Sequence, residues 1–485
     1  MSSGRKAATP SNRDASRGGG AARSTGEAGQ RPWREGAAQG NALGEGITAA
    51  PEADPPVSPG LAELAARARK EACLTNVMGF VDEELLRHAF ASLRKQAAPG
   101  VDGQRYAEYA AELDAKLRDL HTRLKTGRYA APAVRRVYIP KASGGLRPLG
   151  ITTVEDRVVQ KAVAWVLGAV YEQDFEDCSH GFRPARSAHT ALHQLREGMM
   201  QHQVRAVVEV DIVGFFDHVN RAWLRRFVRH RVNDGGLLRL LGKWLKAGVL
   251  EHGVVTRSED GVPQGGPVSP VLSNIYLHYV VDQWFTRRFR RQCRGWAGLT
   301  RYADDFVAVF EDPEDATRFR QAVAERLERY GLQVAPAKTV VRRFDRTLVG
   351  KRGRAQQRAE TFTFLGFTHF LTVTRWGKPN VGRIPSVQAR ERFIRRMGTW
   401  VKANRHRPVR EQQVYLRRAL NGYYQYFGLW LCLRTLHGVL RRIQWLWKQA
   451  LGRRSQRARR RTNWATLRTR SWFQLPLPRL TQRWV

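Results

Sequence analysis

The sequence predicts an α+β chain in which a small antiparallel sheet carries the chemistry and long amphipathic helices supply much of the core. Three observations point there. Residues 298–309 read as two short strands folded back at Asp304-Asp305, with the β-forming run Phe306-Val307-Ala308-Val309 downstream. Residues 157–171 and 316–330 repeat apolar side chains at helical spacing. Residues 391–485 hold 23 Lys and Arg against two acids, threaded through Leu and aromatic residues that also recur at helical intervals.

Charge and length narrow the class. The 485 residues carry 83 Lys and Arg against 43 Asp and Glu, a formal net charge of +40. So large an excess repels itself unless a polyanion neutralises it, which points to nucleic acid, with an anionic membrane surface as the competitor. No apolar run approaches the ~20 residues that span a bilayer, which excludes a membrane-embedded protein; nucleic acid is the expected partner, and no membrane. Cys73, Cys178, Cys293 and Cys432 lie far apart and form no Cys-x-x-Cys pair, which reads as reduced thiols in a cytoplasmic protein without a zinc site.

Taken in order, residues 1–60 are rich in Gly, Ala, Ser, Pro and Arg and lack aliphatic periodicity, so a disordered leader is expected. Its Arg content faintly resembles an organellar transit peptide, although no amphipathic helix is evident and a solvated tail is the simpler reading. Residues 60–120 are helical in pattern, interrupted by a turn signal at Pro99-Gly100-Val101-Asp102-Gly103. Arg135 to Lys141 alternates like a strand, and Ala142 to Leu149 reads as a Gly-bearing hairpin whose basic groups suit a triphosphate or, more blandly, solvent. His180 and His189 are lone histidines with no paired ligands.

A β-run, Arg205 to Val210, ends on Asp211. Gly261 to Pro270 is a Gly/Pro-rich loop opening a helix over Leu272–Trp284, and Gln264 in it can hydrogen-bond a base or sugar edge. Adjacent carboxylates ~4 Å apart would repel by roughly 4 kcal/mol at an effective dielectric near 20. A divalent cation relieves that repulsion, and Mg²⁺ prefers carboxylate oxygens and phosphates. Asp211 with Asp304 and Asp305 is the minimum set for a pair of ions ~3.5–4 Å apart. A solvated Asp-Asp turn is the alternative.

The stretch Tyr302-Ala303-Asp304-Asp305, with Asp211-Ile212-Val213-Gly214-Phe215-Phe216-Asp217, resembles the palm motifs of reverse transcriptases, and its flanks are most similar to the reverse transcriptase/maturase proteins of group II introns. The likeness runs from about Ala72 to the C-terminus. It implies a right-hand polymerase with a leader at 1–60, an N-terminal extension and fingers at 61–205, a palm at 206–375 and a helical thumb/maturase domain at 385–485. It also implies two Mg²⁺ ions, with Mn²⁺ as a substitute, held by Asp211, Asp304, Asp305 and the Ile212 carbonyl. Lys141, Arg147, Gln264 and Lys338 would meet the incoming nucleotide, and Phe216 would exclude a 2′-hydroxyl. Phe364 and Gly366 would belong to the primer grip. Arg453, Arg454, Arg459, Arg460 and Arg461 would bind RNA phosphates. The partners implied are group II intron RNA, an RNA template with a DNA primer, target DNA and dNTPs.

The chain departs from many relatives in one respect: only Cys432 and His437 lie beyond residue 430, so it resembles the subclass lacking a C-terminal metal-binding endonuclease. Three other readings stay open. They are a viral-type RNA polymerase, which usually carries Gly-Asp-Asp, a domesticated relative in repair or phage defence, and a splicing-only RNA binder with a dead palm.

Overall fold

The computed structural model describes residues 56, 58–140, 146–251, 254–256, 265–348 and 360–482. In chain order its strands are β1 (Val134–Pro140), β2 (Leu146–Ile151), β3 (Ala206–Val210), β4 (Val249–Glu251), β5 (Val254–Thr256), β6 (Ala297–Tyr302), β7 (Asp305–Phe310), β8 (Val340–Arg343), β9 (Phe362–Phe364), β10 (Phe367–Val373) and β11 (Pro379–Pro385). They form three sheets in the orders β2-β1-β4-β5, β6-β7-β3-β8 and β11-β10-β9.

The sheet β6-β7-β3-β8 is antiparallel throughout and lies between two hydrophobic cores. Side chains alternate across a strand, so parity sorts them. Ala206, Val208, Val210, Phe306, Ala308 and Phe310 enter one core, which also takes in the helices of residues 59–125. Val207, Val307 and Val309 enter the other, which they share with the C-terminal helices. Both faces are covered, which accounts for the near-continuous apolar run of β7.

The helix Val154–Tyr171 passes through the first core and is buried on nearly all sides. It begins three residues before the apolar repeat does, because the Thr153 hydroxyl accepts from the Asp156 N–H at 3.1 Å and caps it. The helix foreseen over Leu272–Trp284 starts at Ser269 and keeps α geometry only to Leu277. It then continues in π-helical turns at His278–Asp282 and Phe285–Phe289. Such a wide turn re-aims side chains, and here it turns Asp282 fully inward.

The third sheet is a hairpin on a hairpin. Strands β9 and β10 are joined by Leu365 and Gly366, at φ +50° and +75°. Positive φ at both central residues suits a two-residue turn whose twist matches its strands. Beyond it, helices Val387–Ala403, Val409–Phe427 and Leu433–Gly452 pack around the second core, where the Trp447 indole donates to Gln412 at 2.8 Å.

Candidate active site

The antiparallel register does most of the positioning. It pairs Val210 with Phe306, and its continuation carries Asp211 to the position opposite Asp305. By parity both point to the same face of the sheet as Val207 and Val307. Directly opposed residues hold their Cβ atoms about 4.5–5.5 Å apart. Tyr302 pairs with Asp305, which leaves Ala303 and Asp304 as the two turn residues and sets Asp304 at the tip. Asp211 and the distant pair Asp304-Asp305 therefore gather at one corner of the sheet.

Their electrostatics bear the mark of that crowding. Asp305 keeps an exposed surface at the end of β7, yet enough protein surrounds its carboxyl to hinder solvation. Desolvation is the largest cause, and the charges of Asp304, Asp211 and Glu209 add to it, pushing Asp305 up to about 8. A hydrogen bond from the Leu365 backbone N–H pulls the other way. Asp211 is paired with Lys338, whose ammonium lies 2.8 Å from Oδ2. Glu209 is occupied by Arg342 and by the Thr363 N–H.

Among the described residues no three His, Cys, Asp or Glu side chains form a ready-made metal cage. The Lys338 ammonium already pairs with Asp211, the acid that would complete the set. The donor chemistry nevertheless fits a hard divalent cation: the three side chains are oxygen donors, and their mutual repulsion adds to the desolvation that raises Asp305.

The turn bearing Asp304 is held from the opposite face. Arg301, fully buried on β6, makes a bidentate pair with Asp282, Nε–Oδ1 at 2.7 Å and Nη2–Oδ2 at 2.5 Å. Its remaining donors reach Asn274 Oδ1 at 3.0 Å, Ser179 Oγ at 2.7 Å and the Ala303 carbonyl at 2.9 Å. Asn274 in turn donates to the Gly181 carbonyl at 2.7 Å. Gly181 packs so tightly against the turn that a Cβ there would overlap the Ala303 nitrogen. Sequence reading missed Arg301, Asp282 and Asn274. One signal was present: alternation along β6 sends a charged residue inward at 301, and a buried charge requires a partner.

The other expected residues fall as follows. Ile212 is buried and bridges Val334. Phe215 enters the core, while Phe216 stands half-buried and edge-on to it at 5.3 Å. Phe364 is fully buried and Gly366 sits in the β9–β10 turn. Arg453, Arg454, Arg459, Arg460 and Arg461 are exposed after the helix Leu433–Gly452. Lys141 and Gln264 lie outside the described residues, as does the side chain of Arg147, whose backbone pairs with Ile139. The described end of the Gln264 loop is docked closely: a Cβ on Gly265 would overlap the Gly150 carbonyl, and one on Gly266 would overlap Gln160 Oε1.

Residues 139–369 match the family described as reverse transcriptase (RNA-dependent DNA polymerase). Among curated relatives, the chain is 37% identical over 239 residues to protein YkfC of Escherichia coli, covering 44% of this chain and 63% of that one. It is 43% identical over 164 residues to the group II intron-encoded protein LtrA of Lactococcus lactis, covering 34% of this chain and 27% of LtrA. A putative COX1/OXI3 intron 2 protein of Saccharomyces cerevisiae is 33% identical over 177 residues, 36% of this chain and 20% of that protein. The chain thus spans less than two thirds of the length of each of these relatives.

Proposed function

With residues 139–369 carrying a reverse-transcriptase domain, we propose that this protein is an RNA-directed DNA polymerase that also binds a group II intron RNA, assisting its splicing and its target-primed insertion into DNA. The observation that carries the polymerase reading is the convergence of Asp211, Asp304 and Asp305 at one corner of the sheet β6-β7-β3-β8. The intron assignment is supported by the likeness to LtrA and by the basic helices that follow the sheet.

In this reading Asp211, Asp304 and Asp305, with the Ile212 carbonyl, would hold Mg²⁺. Bound there, the metal would lower the pKa of the primer 3′-hydroxyl and neutralise the leaving pyrophosphate. The chain's own part is placement. Arg301 holds the Ala303 carbonyl and so the tip that carries Asp304. Lys338, exposed and only surface-paired with Asp211, is free to turn its ammonium toward a triphosphate once a cation takes its place. Lys141 and Arg147 would meet the same phosphates, Gln264 the base or sugar edge, and Phe216 the space beneath the sugar. Phe364 and Gly366 would steady the primer end, and the exposed arginines from 453 to 461 would bind RNA phosphates.

Extension of an oligo(dT) primer on poly(rA) with Mg²⁺ tests the reading. The wild type should incorporate dTTP. Asp304→Ala should lose incorporation by about a hundredfold to a thousandfold, the scale of removing an essential charge-stabilising group, while RNA binding stays near wild type. Absence of incorporation by the wild type, with RNA binding intact, would leave a splicing factor instead.

A further inference from the structure

A single residue of the β9–β10 turn touches both the active-site acid and the helical C-terminal region. The Leu365 N–H faces the Asp305 carboxylate, while the Leu365 carbonyl accepts from the Tyr426 hydroxyl at 2.9 Å. Tyr426 lies near the end of the helix Val409–Phe427, more than a hundred residues along the chain from Asp305. We propose that Tyr426 is a positioning residue for Asp305, a strut that fixes the carboxylate relative to the basic helices through the backbone of Leu365.

Each joint of the strut is stiff. Leu365 sits at φ +50°, a conformation with little freedom for a branched side chain, in a turn closed by the pairing of Phe364 with Phe367. Its N–H and C=O belong to adjacent rigid peptide planes, so a shift imposed on the carbonyl reorients the donor facing Asp305. Tyr426 is itself clamped. Its backbone carbonyl accepts from His189 Nε2 at 2.8 Å, and its ring lies 5.2 Å from the His189 ring, 5.6 Å from Phe367 and 4.8 Å from Phe427. Burial first, and then the nearby Tyr302 and Asp305, holds the phenol well above its ordinary pKa, so the hydroxyl keeps the proton it donates.

The consequence concerns metal binding. Asp305 can ligate well only if its oxygens face the ion, and a fixed N–H beside the carboxylate biases how those oxygens are turned. The strut makes that orientation depend on the seating of the helix Val409–Phe427. This inference rests on the proposal that Asp305 is a metal-holding acid.

Tyr426→Phe removes the hydroxyl and leaves the ring packing. Primer extension should then show the Mg²⁺ concentration for half-maximal incorporation raised and kcat lowered, each by about tenfold, the scale of one lost hydrogen bond. KM for the template–primer and the unfolding temperature should remain near wild type. An unchanged Mg²⁺ midpoint and kcat would overturn the strut, as would an activity loss that tracks a lowered unfolding temperature with no change in Mg²⁺ midpoint. Asp305→Ala, assayed in parallel, separates the two proposals. If it retains incorporation, the active-site reading itself is wrong; if it is inactive while Tyr426→Phe matches wild type, only the strut is.

Discussion

Arg301 shows how much of the site rests on one side chain that never meets substrate. Its guanidinium spends five hydrogen bonds on Asp282, Asn274, Ser179 and Ala303 while exposing no surface. Arg301→Met would strand Asp282 as an unpaired buried carboxylate, and breaking such a pair costs about 3–5 kcal/mol. Arg301→Met combined with Asp282→Leu removes both charges and should recover most of that loss. Urea unfolding of the two variants checks the difference. The double variant should still be a poor polymerase, because the Ala303 carbonyl has lost its donor. Wild-type incorporation by the double variant would mean that the turn needs no support from below. Residue identity alone made Asp211, Asp304 and Asp305 legible in the sequence, since paired acids between β-formers are chemically conspicuous. It could not show that Lys338 would rest on Asp211, because that pairing depends on which loop returns beside β3.

At the scale of elements, the helix Val154–Tyr171 carries a pH-dependent contribution that can be isolated. Asp156 lies in its first turn and accepts from Tyr129 and Trp244 at 2.7 Å each and from Gln160 at 2.8 Å. Burial, the largest cause, outweighs those bonds and pushes its carboxyl up to about 6. The folded state therefore binds this proton more tightly than the unfolded chain, whose Asp titrates near ~3.9. Stability from this group is present below about pH 4 and is lost as pH rises from about 4 to about 6. Chemical unfolding of wild type and Asp156→Asn across that window should show the wild type losing about 2–3 kcal/mol relative to the variant, then a constant difference above it. A difference that stays flat through the window would contradict the assignment. The helix itself was readable from periodicity, and so was the β6–β7 hairpin. The π-helical turn that aims Asp282 was not, because widening by one residue leaves a continuous apolar pattern unchanged. Nor was the geometry of the β9–β10 turn, where Leu365 occupies a left-handed position that Asn, Asp or Gly usually fills.

For the whole molecule, charge is the property that acts at a distance. The net charge of +40 is concentrated toward the C-terminal helices, whose apolar faces are committed to the second core and whose arginines are left outside. RNA binding should therefore weaken steeply with salt, and each phosphate contact removed should flatten the slope of log K against log salt by about 0.7–0.9. Replacing Arg459, Arg460 and Arg461 together with Ala should reduce the slope by about 2 and leave oligo(dT)-primed kcat at saturating poly(rA) unchanged; filter binding at several salt concentrations measures it. An unaltered slope would place the RNA elsewhere on the chain. The broad division into an acid-bearing sheet and basic helices could be read from composition and pattern. The sharing of one sheet between two cores could not, because it depends on register across strands some hundred residues apart.

In the proposed function Asp211, Asp304 and Asp305 together hold divalent cations beside the nucleotide. Counting bound Mn²⁺ by electron paramagnetic resonance, on the protein with an RNA template, a 3′-deoxy-terminated DNA primer and the matching dNTP, tests it most directly. Two tightly bound ions per complex are predicted for the wild type, with one or both lost in Asp211→Asn, Asp304→Asn and Asp305→Asn. The same count in all four proteins would contradict it.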